Sequence, residues 1–184
     1  MEVKGTAVAA ISEFVKSKFP SDYEKWLSAL SEPSRNLMQN KALAGSWYPV
    51  DIGIVEPTKK ICEMFYGGNP KGANEMGRIS ADVALKGIYK LFVKAGTPQF
   101  IISRASTILA SYYRPCELVV HSSTEKSCTL HFSKFTNKEG IIEERISGWI
   151  ERALEINGCS NPVLKIGKSM AKGDPITEMF VTWK

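Results

Sequence analysis

His121, His131, Cys116 and Cys128 fall within one short stretch of the chain, residues 116–131. Imidazoles and thiols this close in sequence allow two chemistries. A thiol with a histidine base in hydrogen-bond reach is a nucleophile. Two imidazoles with a third donor, for which Cys116, Cys128 and Glu117 are the nearby options, make a metal site. The residues lie on two β-rich runs, 116–123 and 127–135, joined by a polar turn around Thr124 to Lys126. An odd loop puts both histidines on one sheet face, and an even loop puts them on opposite faces. The sequence leaves both open. Cys62 and Cys159 stand far off and no C-x-x-C occurs, so no metal site is assigned. Buried thiols also pack as small hydrophobes, and no catalytic residue is assigned.

A second set of residues could hold an anion. Gly77 lies inside a helical stretch, where glycine costs about 1 kcal/mol relative to alanine. It therefore admits the close approach of a ligand or of another backbone. Arg78 beside it could clamp a carboxylate or phosphate, or form a surface ion pair over a close helix crossing. Arg104 is a second anion candidate. Tyr89 and Tyr112 are carried as ligand contacts, although with Phe92 and Tyr113 they read first as core. The glycine-rich run Gly67 to Gly72 sits between helices with no strand before it and reads as a helix stop. No P-loop, dinucleotide fingerprint or G-x-S-x-G elbow is present.

The elements that must position these residues are legible. Ile142, Ile146, Trp149, Ile150, Ala153 and Leu154 form one face of a helix over 141–157, stopped by Asn157-Gly158. Strands at 163–170 and 176–183 follow, around a Lys-Gly-Asp-Pro turn at 172–175. The first half predicts helices at 5–18, with Ala7, Ile11, Phe14 and Val15 on one face, and at 22–30, with Ser21 as N-cap and Glu24 in the capping-box position. Others follow from Pro33 to about Lys41, at 51–66, at 71–94, and at 98–113, capped by Thr97 and stopped by Pro115. Trp47 to Val50 reads as a rigid aromatic connection. The fold class is α/β of the α+β type. A helical layer (1–113) packs on a four- to five-stranded antiparallel sheet with a ββαββ C-terminal half (114–184), all in one domain, 1–184.

Composition narrows the partners. The 184 residues are 43% hydrophobic and 23% charged, with net charge +5. Lys and Arg are scattered, Lys59-Lys60 being the only adjacent pair, which argues against nucleic acid. No apolar run is long enough to span a bilayer, so no transmembrane segment is expected. Nothing at the start reads as a signal peptide. A cytoplasmic location with reduced thiols is expected.

Several of these segments together resemble a known fold. They are Phe100-Ile101-Ile102, Leu109 and Tyr112-Tyr113-Arg114-Pro115; the hairpin 116–135; the helix with Gly148-Trp149-Ile150; and the closing Phe180-Val181-Thr182-Trp183. The resemblance is to the α/β ligand-binding fold shared by heme nitric-oxide/oxygen-binding domains, vinyl-4-reductase domains and transport-protein-particle subunits. The length and the segment Gly77-Arg78…Gly87-Ile88-Tyr89-Lys90 are most similar to an uncharacterised bacterial family of about this size. In the heme branch the resemblance implies a proximal histidine on the helix before the hairpin. Here that helix is 98–113, and it has none. That branch's Tyr-x-Ser-x-Arg signature is also missing, with Leu130-His131-Phe132-Ser133-Lys134 in its neighbourhood. Both departures argue against heme, and no cofactor is expected. The vinyl-4-reductase branch implies cysteines near the C-terminus, where only Cys159 lies.

The leading expectation is a non-enzymatic, cytoplasmic ligand-binding or sensor domain. An apolar or amphipathic small molecule would lie between the helical layer and the sheet, its polar end on Arg78 or Arg104. The alternative is a homodimeric scaffold or interaction module using helices 51–66 and 71–94, marked by an apolar patch over a solid core. A third reading is a cysteine–histidine enzyme, which requires a thiol titrating below its usual range.

Overall fold

In the N-terminal half, helices form where apolar side chains recur at helical spacing. Helix α1 (Gly5–Lys18) buries Ala7, Val8, Ile11, Phe14 and Val15. The short helices α2 (Tyr23–Ser28) and α3 (Glu32–Gln39) follow. A wide π-type turn, Asp51–Val55, leads into α4 (Glu56–Phe65). Then come α5 (Lys71–Ala84) and α6 (Pro98–Tyr112). The computed structural model describes residues 1–85, 97–135 and 139–184. The expected continuation of α5 beyond Leu85 lies outside them.

Local signals at the helix ends work in most places. Thr97 Oγ1 accepts the Phe100 N–H at 3.2 Å, as an N-cap should. Gly67 and Gly68 take positive φ in the turn after α4. The capping box at Ser21 does not form. Pro20 starts a 3-10 turn, Pro20–Asp22, so the next helix begins only at Tyr23. Ser21 Oγ then bonds the Asp22 carboxylate at 3.0 Å instead of a backbone N–H.

One sheet is not anticipated by the sequence pattern. Trp47 to Pro49, expected as a connection, is a strand. It is β2 (Trp47–Pro49) of a three-stranded antiparallel sheet, beside β1 (Glu2–Lys4) and β3 (Tyr113–Arg114), in the order β2-β1-β3. Fully buried Val3 pairs with Tyr48 on one side and Tyr113 on the other. Lys4 and Arg114 lie over the Trp47 ring, 4.6 and 4.2 Å from its centroid.

The C-terminal half follows the expected ββαββ order. Strands β4 (Glu117–Ser123) and β5 (Ser127–Ser133) precede helix α7 (Gly140–Asn157), and β6 (Val163–Lys168) and β7 (Thr177–Thr182) follow it. The sheet is antiparallel, in the order β4-β5-β7-β6. Leu118, Cys128, Leu130, Phe132, Met179 and Val181 are buried on its inner face. Glu143 ties α7 to the β6–β7 connection by accepting hydrogen bonds from Ser169 Oγ, at 2.6 Å, and from the Thr177 hydroxyl.

The two halves lock through α5 and α7. A Cβ at Gly77 would stand 1.9 Å from the Arg145 carbonyl oxygen, and one at Gly148 would stand 2.0 Å from that of Asn74. Each helix thus presents a glycine to a carbonyl of the other, at a distance no side chain allows. On the solvent side Arg78 donates to both Glu155 oxygens at 2.6 Å, and Arg152 reaches Glu155 and Asp82 at 2.9 Å each.

Candidate ligand-binding site

Where the helical layer meets the sheet, the core is not filled. A cavity of about 190 Å³, partly open to solvent, lies between them. One wall is α1, where Ala7 and Ala10 present only methyl groups; Val83 and Ala84 of α5 and Ile108 and Leu109 of α6 extend it. The sheet contributes Leu118 and Phe132, and α7 contributes Ile146, Trp149 and Ile150. Small side chains on α1 and α5, set against large ones on α6, α7 and the sheet, leave the gap.

One cation interrupts this apolar wall. Arg145 of α7 lines the cavity and is 3% exposed. Its Nη2 donates to the Ala7 carbonyl oxygen at 3.0 Å and to Ser80 Oγ at 3.1 Å. The hydroxyl of Tyr113, a buried phenol, lies close to the guanidinium. Nη1 is buried and has no hydrogen-bond partner among the described residues. Burial pulls the Arg145 guanidinium below its ordinary value, with Tyr113 opposing, and burial pushes the Tyr113 phenol up, with Arg145 opposing. Arginine nevertheless stays protonated in proteins. No carboxylate of the described residues pairs with it. The sequence stretches 86–96 and 136–138 contain no Asp or Glu to supply one. An enclosed ion without a counter-ion costs several kcal/mol.

The expected site residues are dispersed. Tyr112 lines the cavity. Arg78 lies on the outer side of α5, in the ion-pair group with Glu151 and Glu155. Arg104 is exposed, with its guanidinium carbon 5.3 Å from the Phe100 ring centroid. Tyr89 lies outside the described residues. Arg145 was not singled out from the sequence, yet a signal existed. It sits three residues after Ile142 and four before Trp149, inside the helix face that carries the apolar stripe.

The histidines and cysteines part company. Ser123 pairs with Cys128, which leaves a loop of four residues, 124–127; an even loop alone would send the two histidines to opposite faces. A bulge between Val120 and Ser122 shifts the register, and the two rings stack with centroids 4.2 Å apart. His131 Nε2 lies 2.8 Å from Glu178 Oε2, its cross-strand partner. Cys128 is buried on the opposite, inner face of β5. Burial, with a smaller contribution from Glu117 at Cys116, pushes the Cys116 and Cys128 thiols up to about 12. Neither thiol has the lowered value that a cysteine nucleophile needs. No cluster of three or more metal-ligating side chains occurs among the described residues.

No protein-family model and no curated protein matches the chain. Solved structures do match. An H-NOX protein from K. algicida, Fe(II) unliganded, superposes with TM-score 0.74 at 10% identity, covering 98% of this chain and 96% of its own. An H-NOX protein from S. oneidensis in the Fe(II)NO ligation state gives 0.75 at 9% identity, covering 98% and 99%. The chain has the H-NOX fold. In this fold the expected heme nitric-oxide/oxygen-binding architecture is present across nearly the whole length.

The H-NOX fold raises heme as a candidate occupant. The described residues lining the cavity include no histidine and no cysteine, and α6 carries no histidine in its sequence. His131 faces away from the cavity, on the far side of the sheet from Phe132. Tyr112 and Tyr113 bring the phenolic oxygens of the lining, and Tyr113 lies close to Arg145. The volume falls below the roughly 300–1,000 Å³ of sites for drug-sized ligands. The described lining, as formed, offers no histidine or cysteine to hold a heme iron.

Proposed function

We propose that this chain is a non-enzymatic small-molecule-binding domain of sensor type, cytoplasmic, taking an apolar ligand into the cavity between the helical layer and the sheet. The observation that carries this reading is the cavity itself. Natural cores are filled to crystal-like density, and a gap walled largely by side chains such as Ala10, Val83, Ile108 and Leu118 suits an apolar molecule. The H-NOX fold supports it by analogy, because the neighbours sharing it hold a ligand. The interaction-module alternative asked for a solid core behind the helices, and the cavity does not meet that condition. No helix among the described residues is long and apolar enough to cross a membrane.

Native mass spectrometry of freshly purified protein, beside a denatured control and a visible absorption spectrum, tests this. The expected result is extra mass of a small organic molecule that is lost on denaturation. Titrating the stripped protein with benzene and hexane analogues should change Trp149 fluorescence, since its ring lines the cavity. A Soret band would overturn the heme-free assignment. Silent fluorescence together with an apo mass would remove the ligand-binding reading, and an apo dimer would then favour the interaction module.

A further inference from the structure

We infer that the cavity selects a small apolar monocarboxylate, whose carboxylate is recognised by Arg145. This deepens the ligand-binding reading and rests on it.

Three observations converge. The first is an unbalanced charge. Arg145 is buried, its Nη1 makes no hydrogen bond among the described residues, and no acidic residue pairs with it. The chain's own contacts account for Nη2, which joins α7 to Ala7 and Ser80. They account neither for Nη1 nor for the positive charge. A helix clamp alone needs hydrogen bonds; it does not need an ion, and a buried ion without a counter-ion is the costly way to build one. A ligand carboxylate at this wall supplies the missing negative charge and an acceptor for Nη1, in the planar arrangement guanidinium favours.

The second observation is the rest of the lining. Apart from Arg145, the polar side-chain groups of the described lining are the hydroxyls of Thr6, Ser80, Tyr112 and Tyr113 and the indole N–H of Trp149. Ser80 already donates to the Met76 carbonyl, at 2.9 Å, and accepts from Arg145. Hydroxyls can assist one anionic head, but among the described lining residues there is no second cation for a diacid or a phosphodiester.

The third observation is size. An apolar cavity of about 150 Å³ admits benzene, and this one measures about 190 Å³. The ligand therefore has an apolar body near the size of a benzene ring or a short alkyl chain, plus its carboxylate. Long-chain fatty acids and tetrapyrroles exceed it.

The experiment compares matched acids and alcohols on the full chain by calorimetric titration at neutral pH: hexanoate against hexanol, and phenylacetate against 2-phenylethanol. The wild type should bind each acid at least tenfold more tightly than its alcohol. Arg145→Met should abolish or reverse that preference, and Arg145→Lys, which keeps the charge, should retain part of it. Because the acid-to-alcohol ratio is read in the wild type, the test survives a variant that fails to fold. If acid and alcohol bind the wild type equally, the cavity reading stands and the carboxylate assignment falls. An acid preference that persists in Arg145→Met also overturns the role of Arg145. If neither compound of either pair binds, both the assignment and the cavity reading fall.

Discussion

Arg145 keeps a buried cation in the cavity wall, and this has a consequence for the empty protein. Replacing a buried ion by an apolar side chain of similar volume is commonly neutral or stabilising, by about 1–4 kcal/mol. Arg145→Met loses the hydrogen bonds to Ala7 and Ser80, worth about 1 kcal/mol each. The expected net is a urea midpoint equal to or above that of the wild type, measured without ligand. A loss beyond about 2 kcal/mol would mean that the residue is chiefly a helix clamp. Residue-scale detail is where sequence reading reached least far. Apolar periodicity identifies α7 from Ile142, Ile146 and Trp149, and the same habit of counting apolar positions passes over the arginine among them. The histidine pair was undecidable for another reason. Loop length sets strand parity, but a single inserted residue at His121 reverses it, and no local side-chain signal marks that bulge.

The α5–α7 crossing carries the strongest prediction among the elements. Gly77→Ala and Gly148→Ala each drive a methyl group into a backbone carbonyl that cannot swing aside. Each should destabilise by about 1–3 kcal/mol or more through overpacking, read as a lower midpoint in chemical denaturation. The salt bridges over the crossing add a pH dependence. Partial burial pushes the Glu155 carboxyl up, but Arg78 and Arg152 outweigh it and hold the group below its usual value. Its contribution is therefore present above the unfolded-chain value, about 4.3, and is lost as pH falls through the lower folded value. Glu155→Gln should flatten the stability profile in that acid window and leave it little changed near pH 7. Gly77 was legible in the sequence, because glycine inside a helical stretch signals close approach. Which backbone approaches was not, since the partner lies some seventy residues further on.

At the scale of the whole molecule, the cavity follows from an imbalance of side-chain size across the two halves. Ala10→Leu should fill it from α1, raise stability by about 0.5–2 kcal/mol, and abolish binding of hexanoate in the same titration. The ββαββ half was legible because its strands and helix are long enough to show their periods. The small sheet was not, because strands of two or three residues show no alternation, and the Glu2–Arg114 pair spans 112 residues of sequence. That sheet also sets an order of events in time. The chain's local helices and the hairpin can form early, whereas Val3 must wait for residues 48 and 113 before its ladder exists. Contacts of such long range assemble late. Val3→Ala should thus speed unfolding and leave the refolding rate nearly unchanged in a chevron plot. Tyr113 stands both in that ladder and in the cavity wall, so the cavity closes only in the final step. A ligand arriving there finds nothing to bind until folding is over. It lengthens the lifetime of the finished molecule without hastening its birth.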